Sequence, residues 1–180
     1  NDQKQIAQGK GGPFTTYKAE IKTHVDALRA RGGIAVVVSP MERRNFDAQG
    51  KIVPSLADYA EACRQSAAEL HTPLIDLNAM SIVLYEALGP ERSKAAFALP
   101  EPGKLDATHH SSYGSYELSK CIILGLQRAG LTVARFVADD FGGFDPARPD
   151  PFESFTVPPS PLVTTQRPLG DAPLAPGPAK

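Results

Sequence analysis

Two cysteines, Cys63 and Cys121, are too few for a disulfide framework. Both fall among apolar residues in helical patterns, so buried thiols are expected, and neither reports a redox compartment. Charge of one sign is missing too. Nineteen basic residues face twenty acidic ones, a formal net charge of −1. No overall field therefore draws the chain to nucleic acid or to an anionic membrane. No apolar run approaches the roughly 18 residues of a membrane span. No His, Cys, Asp and Glu cluster has the spacing of a metal site, and the adjacent His109 and His110 point apart on most backbones. Gly9, Gly11 and Gly12 match neither G-x-x-x-x-G-K-[ST] nor G-x-G-x-x-G after a strand, which leaves no phosphate cradle. There is no internal repeat. The first residue is Asn1 rather than Met, with no signal peptide ahead of it, so the chain reads as the remainder of something longer.

What is present alternates between two periods. Residues 1–12 are polar and glycine-rich, a loop. Phe14 to Arg31 has helical period, with Tyr17, Ile21, Val25 and Leu28 on one face, His24 at its rim, and Gly32-Gly33 as the stop. Ile34 to Ser39 is a β-branched run closed by Pro40, the pattern of a parallel strand covered on both faces. Met41, Glu42, Arg43 and Arg44 follow it, either reaching a pocket or forming an exposed charged loop. Ser55 and Asp58 suggest a capping box for a helix that runs to His71, whose imidazole would suit the helix dipole. Pro73 to Leu77 is a second short strand, in which Asp76 reads as a buried polar anchor. Asn78 is placed to cap the next helix, which stops at Gly89-Pro90. Ser112 starts a helix that is apolar almost all round from Leu118 to Leu126, so deep burial is expected. Thr132 to Ala138 reads as a short extended segment. Ten of the seventeen prolines lie from Pro146 onward. The chain therefore divides into a domain portion, 1–138, and a Pro-rich extended tail, 139–180, pinned at its start by Phe141, Phe144, Phe152 and Phe155. Pro158-Pro159-Ser160-Pro161 reads as linker or as a polyproline docking motif.

One polar turn stands directly ahead of the last helix: Leu105-Asp106-Ala107-Thr108-His109-His110. Asp106 and His109 are three residues apart. On a tight turn the carboxylate can accept a hydrogen bond from one ring nitrogen and leave the other facing outward as a base. The plainer reading is a turn-capping Asp beside an exposed loop His.

The order helix, strand, helix, strand, helix, acid–imidazole turn, helix is that of the second half of a doubly wound α/β domain. Its missing strands are expected ahead of Asn1, which would follow the C-terminal end of one of them. Several blocks then resemble the SGNH (GDSL-type) hydrolases, in the rhamnogalacturonan acetylesterase branch. They are Asn1-Asp2-Gln3-Lys4, Pro13-Phe14-Thr15-Thr16-Tyr17, Val38-Ser39-Pro40, Pro73-Leu74-Ile75-Asp76-Leu77, and Asp106-Ala107-Thr108-His109 with Tyr113-Gly114. They come in the family's order across residues 1–131.

The resemblance implies a flavodoxin-like, three-layer α/β/α fold with a parallel sheet, incomplete here, and Ser-His-Asp hydrolysis of an acetyl ester on a pectic polysaccharide or oligosaccharide. It implies Asp106 and His109 as triad acid and base, Asn1 as an oxyanion donor, no catalytic position for His110, no cofactor, no metal, and a secreted or periplasmic setting. The family's Gly-Asp-Ser nucleophile block and its oxyanion-glycine block do not occur in the sequence. Alone, the chain is therefore expected to lack triad-dependent activity. The missing N-terminal portion could be supplied as a second chain. Two alternatives stand beside this reading: another SGNH acyl esterase or lipase, and a non-catalytic binding or structural remnant.

Overall fold

The computed structural model describes residues 6, 8–99 and 101–157. Asn1 lies outside the described residues, as does the chain from Pro158 on, including the Pro158-Pro159-Ser160-Pro161 motif.

A short π-helical turn, Pro13–Tyr17, leads into α1 (Lys18–Arg29). Then come β1 (Val37–Val38), α2 (Ala57–Glu69), β2 (Leu74–Ile75), α3 (Leu77–Arg92, kinked at Gly89) and α4 (Ser112–Arg128). The two strands pair in parallel, Val37 with Leu74 and Val38 with Ile75. Strand side chains alternate between faces, and the two cores follow that alternation. Ala35, Val37 and Leu74 pack with Val25 of α1 and with Cys63 and Ala67 of α2. Val36 and Ile75 pack with Leu77, Met80, Leu84 and Tyr85 of α3 and with Tyr113, Leu118 and Cys121 of α4. The sheet is thus an α/β arrangement with a helix pair on each side. Both cysteines are free and buried. Among the described residues no helix is long and apolar enough to cross a membrane.

Gly125 explains how closely α4 rides on the sheet. A Cβ there would sit 2.4 Å from Ile75 Cγ2. Gly114 does the same at the helix start, where a Cβ would lie 1.9 Å from the Ala96 carbonyl oxygen.

Local expectations were corrected wherever a distant partner outbid a neighbour. The strand expected over residues 34–39 pairs only at Val37–Val38, because β2 is its one described neighbour; Ile34 is 76% exposed. Ser55 and Asp58 form no capping box: the Ser55 hydroxyl donates instead to Glu42 (2.7 Å), and α2 has no side-chain cap. Asp76, not Asn78, caps α3 by accepting from Ala79 N (3.3 Å), since that helix begins immediately after β2. Asn78 is buried inside α3 and donates to the Pro40 carbonyl (3.1 Å). The carbonyls ending α2, at Leu70 and His71, take the Arg29 guanidinium (2.8 and 3.2 Å), while His71 itself adopts a left-handed φ of 48°. Residues 132–136 form a 3-10 turn rather than an extended segment. In α4, Leu118 and Cys121 are buried, but Ile122, Ile123, Leu124 and Leu126 are only half-buried.

Residues 144–155 lie along α4. The Tyr113 hydroxyl donates to the Asp150 carbonyl (2.6 Å), and Phe144 and Phe155 pack on the core. Lys120, itself buried, bridges Asp150 (2.8 Å) and Glu117 (2.7 Å). Phe141 is half-buried, and Phe152 contacts Tyr113 edge-on at 5.4 Å between ring centroids.

Candidate functional site

The polar turn is a reverse excursion between the end of α3 and the start of α4. Its two arms pair: Asp106 N donates to the Ala98 carbonyl and Ala98 N to the His109 carbonyl, both at 2.9 Å. Phe97 and His110 form an antiparallel bridge. Ser111 then caps α4, its hydroxyl accepting from Gly114 N (3.2 Å) and donating to the Ala95 carbonyl (2.7 Å). From the other side, Arg44 N donates to the Ala107 carbonyl (2.9 Å), tying the loop after β1 to the turn. The Arg44 side chain is held in turn by Ser93 Oγ (3.0 Å) and the Pro90 carbonyl.

Within this frame Asp106 and His109 meet. His109 Nδ1 lies 2.7 Å from Asp106 Oδ2, while Asp106 Oδ1 accepts the backbone N–H groups of Thr108 (2.6 Å) and His109 (2.9 Å). Asp106 thus both caps the turn and engages the imidazole. The His109 bond, with those two backbone donors, holds the Asp106 carboxyl at about 2. With Nδ1 engaged, Nε2 is the nitrogen left for chemistry, on a side chain 78% exposed. A carboxylate that stays ionised at neutral pH fixes the imidazole tautomer and stabilises the imidazolium, which is what a general base requires of its partner.

Thr108 also lines a cleft of about 340 Å³ with Val38, Met41, Arg43, Leu56 and Leu77. The cleft sits at the C-terminal end of β1, where open α/β sheets place ligands. Among the described residues, no group of three or more His, Cys, Asp and Glu is placed to hold a metal ion.

The loop after β1 departs from the exposed charged loop considered above. Glu42 is 1% exposed. Its Oε1 accepts from Arg43 N (2.9 Å), Ser55 N (3.0 Å) and Ser55 Oγ (2.7 Å), and its Oε2 from Leu56 N (3.2 Å). Burial alone would push this carboxyl up; the hydrogen bonds outweigh it and leave it below the usual glutamate value. Asp76 is a polar anchor, but a half-buried one just past the end of β2 rather than a buried one within it; it receives Ser39 Oγ (2.9 Å) and a two-pronged Arg64 (2.8 and 3.2 Å). Sequence reasoning placed Glu42 and Arg44 after the first strand but gave no sign of their partners, and it had no signal for Tyr85, whose hydroxyl lies 2.7 Å from His110 Nε2. Apart from the adjacent Arg43 N, their partners stand 13 to 63 residues away along the chain.

No protein-family model matches the chain. Rhamnogalacturonan acetylesterase RhgT of Bacillus subtilis is 37% identical over 139 residues, covering 73% of this chain and 59% of RhgT. The probable rhamnogalacturonan acetylesterase YesY of the same organism is 30% identical over 125 residues, 69% of this chain and 57% of YesY. The crystal structure of protein YxiM, also from Bacillus subtilis, matches with a TM-score of 0.56 at 26% identity, covering 64% of this chain and 32% of YxiM. The chain thus spans a little over half the length of the curated relatives it matches. These similarities agree with the ordered motifs: the chain belongs to the SGNH hydrolases, in the branch of the rhamnogalacturonan acetylesterases.

Proposed function

We propose that this chain supplies the acid and base of a carbohydrate O-acetylesterase acting on rhamnogalacturonan, within a flavodoxin-like α/β/α domain. The observation that carries the reading is the 2.7 Å contact between Asp106 Oδ2 and His109 Nδ1, with the rest of the imidazole open to solvent. In this reading His109 Nε2 takes the proton of a serine hydroxyl as its oxygen attacks the acetyl carbonyl. Amide donors, Asn1 among them, hold the oxyanion. Collapse breaks the bond to the sugar oxygen, which leaves as a hydroxyl on taking the proton from His109. Water then repeats the sequence, releasing acetate and regenerating the serine. Asp106 stays ionised throughout and steadies the imidazolium.

Two of the serines near the turn are already engaged. The Ser111 hydroxyl is committed to the helix cap and to Ala95, and Ser39 is buried against Asp76. In this reading the nucleophile is the serine of the family's Gly-Asp-Ser segment, outside these residues, in the same polypeptide or in a second chain. The residues here, taken alone, hydrolyse no ester by a triad.

The test is acetate release from acetylated rhamnogalacturonan by the full-length protein that carries this chain. Release by the parent and its loss in His109→Ala are expected; near-parental activity in His109→Ala would rule out the base assignment. The largely aliphatic lining of the cleft beside Thr108 favours a second reading, an esterase for longer acyl groups. Faster hydrolysis of octanoyl than of acetyl esters would select it.

A further inference from the structure

The motif that carries the acid and base leaves His110 without a part, and the structure gives it one. Its ring sits in a slot formed by Phe97, with centroids 4.5 Å apart, and by Tyr85, stacked at 6.0 Å and 23°. Tyr85 is fully buried in α3, and its hydroxyl meets His110 Nε2 at 2.7 Å. Burial pushes the Tyr85 phenol far above the ordinary tyrosine range. The hydroxyl therefore keeps its proton, and in the tautomer with Nε2 unprotonated it donates to His110. An imidazole with an accepting nitrogen is neutral. Burial first, and the neighbouring His109 second, hold His110 down at about 4. His110 thus adds no second positive charge beside His109 when His109 takes up a proton.

The base needs such support, because packing does not hold it: His109 is mostly exposed, and its direction is set by Asp106 and by the backbone beneath it. That backbone enters the core on both flanks. Leu105 packs inward on one side of the pair, and His110 does so on the other. Since His109 and His110 share a peptide bond, a His110 that leaves its slot turns the His109 Cα–Cβ vector with it.

We propose that Tyr85 and His110 are a positioning pair, which hangs the Asp106–His109 turn from α3 at the angle from which His109 acts as base. The inference rests on the acid–base reading above, and it makes Tyr85, in mid-helix, part of the site's support.

The test uses Tyr85→Phe, which removes one oxygen and keeps the ring, with His110→Phe and His110→Gln in the full-length protein. If the pair positions the base, Tyr85→Phe and His110→Phe lower kcat about tenfold or more. KM stays within about twofold, the signature of an interaction that matters in the transition state. His110→Gln, which keeps an acceptor for Tyr85, recovers part of the loss. A second readout is independent of activity: the His109 Nδ1–H proton, seen by NMR of nitrogen-15-labelled protein. It is sharp and bonded to Asp106 in the parent, and broadened or lost in folded Tyr85→Phe. Unchanged kcat together with an unchanged Nδ1–H signal in Tyr85→Phe overturns the proposal. If the parent releases no acetate, the function reading fails, and the NMR signal alone decides the positioning role. Should Tyr85→Phe not fold, the comparison of His110→Gln with His110→Phe decides it: equal signals in the two overturn it.

Discussion

Asp106 holds His109 with one carboxylate oxygen and holds the turn beneath His109 with the other. Oδ2 lies 2.7 Å from the ring Nδ1, and Oδ1 takes the backbone N–H groups of Thr108 and His109. One side chain therefore sets both the tautomer of the imidazole and the backbone from which it projects.

Replacing Asp106 with Asn separates those duties. The amide oxygen can keep the two backbone bonds, but the charge that steadies an imidazolium is gone. In the full-length protein kcat is expected to fall by about three to four orders of magnitude, the scale seen when a triad carboxylate becomes an amide. KM is expected to move little. Single-turnover acetate release measures both.

Acid should weaken the fold in two separate windows. His110 has a folded value of about 4 against an ordinary 6.5, so between these the unfolded chain binds a proton that the folded chain refuses. Stability therefore falls as pH drops from about 6.5 to about 4. Asp106, at about 2 against an ordinary 3.8, contributes stability above about 3.8 that is lost as pH falls through 2. Urea midpoints across this range should show both slopes, and His110→Phe should flatten the first.

Glu42 is the hub of the loop after β1. Truncation to Ala leaves the N–H groups of Arg43, Ser55 and Leu56 without their acceptor in a buried site. Unmet buried donors cost about 1 to 3 kcal/mol each, so a loss of about 3 kcal/mol or more is expected in chemical denaturation. Glu42→Gln, which keeps one acceptor oxygen, should fall between.

Gly114 bears on stability and site together. An added methyl would collide with the Ala96 carbonyl, which also accepts Ser111 N beside the Phe97–His110 bridge. Gly114→Ala is expected to cost about 1 to 3 kcal/mol, the usual range for overpacking. It should also lower kcat, because the start of α4 must shift away from the turn. Thermal unfolding and acetate release check the two effects.

The alternation of helix and strand was legible because each element announces itself by local period, and Asp106 and His109 because three residues on a turn are already neighbours. What stayed hidden has its cause at long range. Ser55 looks like a helix cap until Glu42, 13 residues earlier, takes its hydroxyl. His110 looks like a spare histidine until Tyr85, 25 residues earlier, is folded beneath it. The Ile34–Ser39 run reads as a full strand, but strand length depends on a neighbour, and β2 pairs with only two of its residues.

The most direct measurement labels the full-length protein with a serine-directed fluorophosphonate and maps the modified residue by mass spectrometry. A single adduct is expected, on a Gly-Asp-Ser serine outside the 180 residues, and it should disappear in His109→Ala. An adduct on Ser39, Ser111 or Ser112, or labelling undiminished by His109→Ala, would contradict the assignment of Asp106 and His109 as the acid and base of a serine supplied from elsewhere.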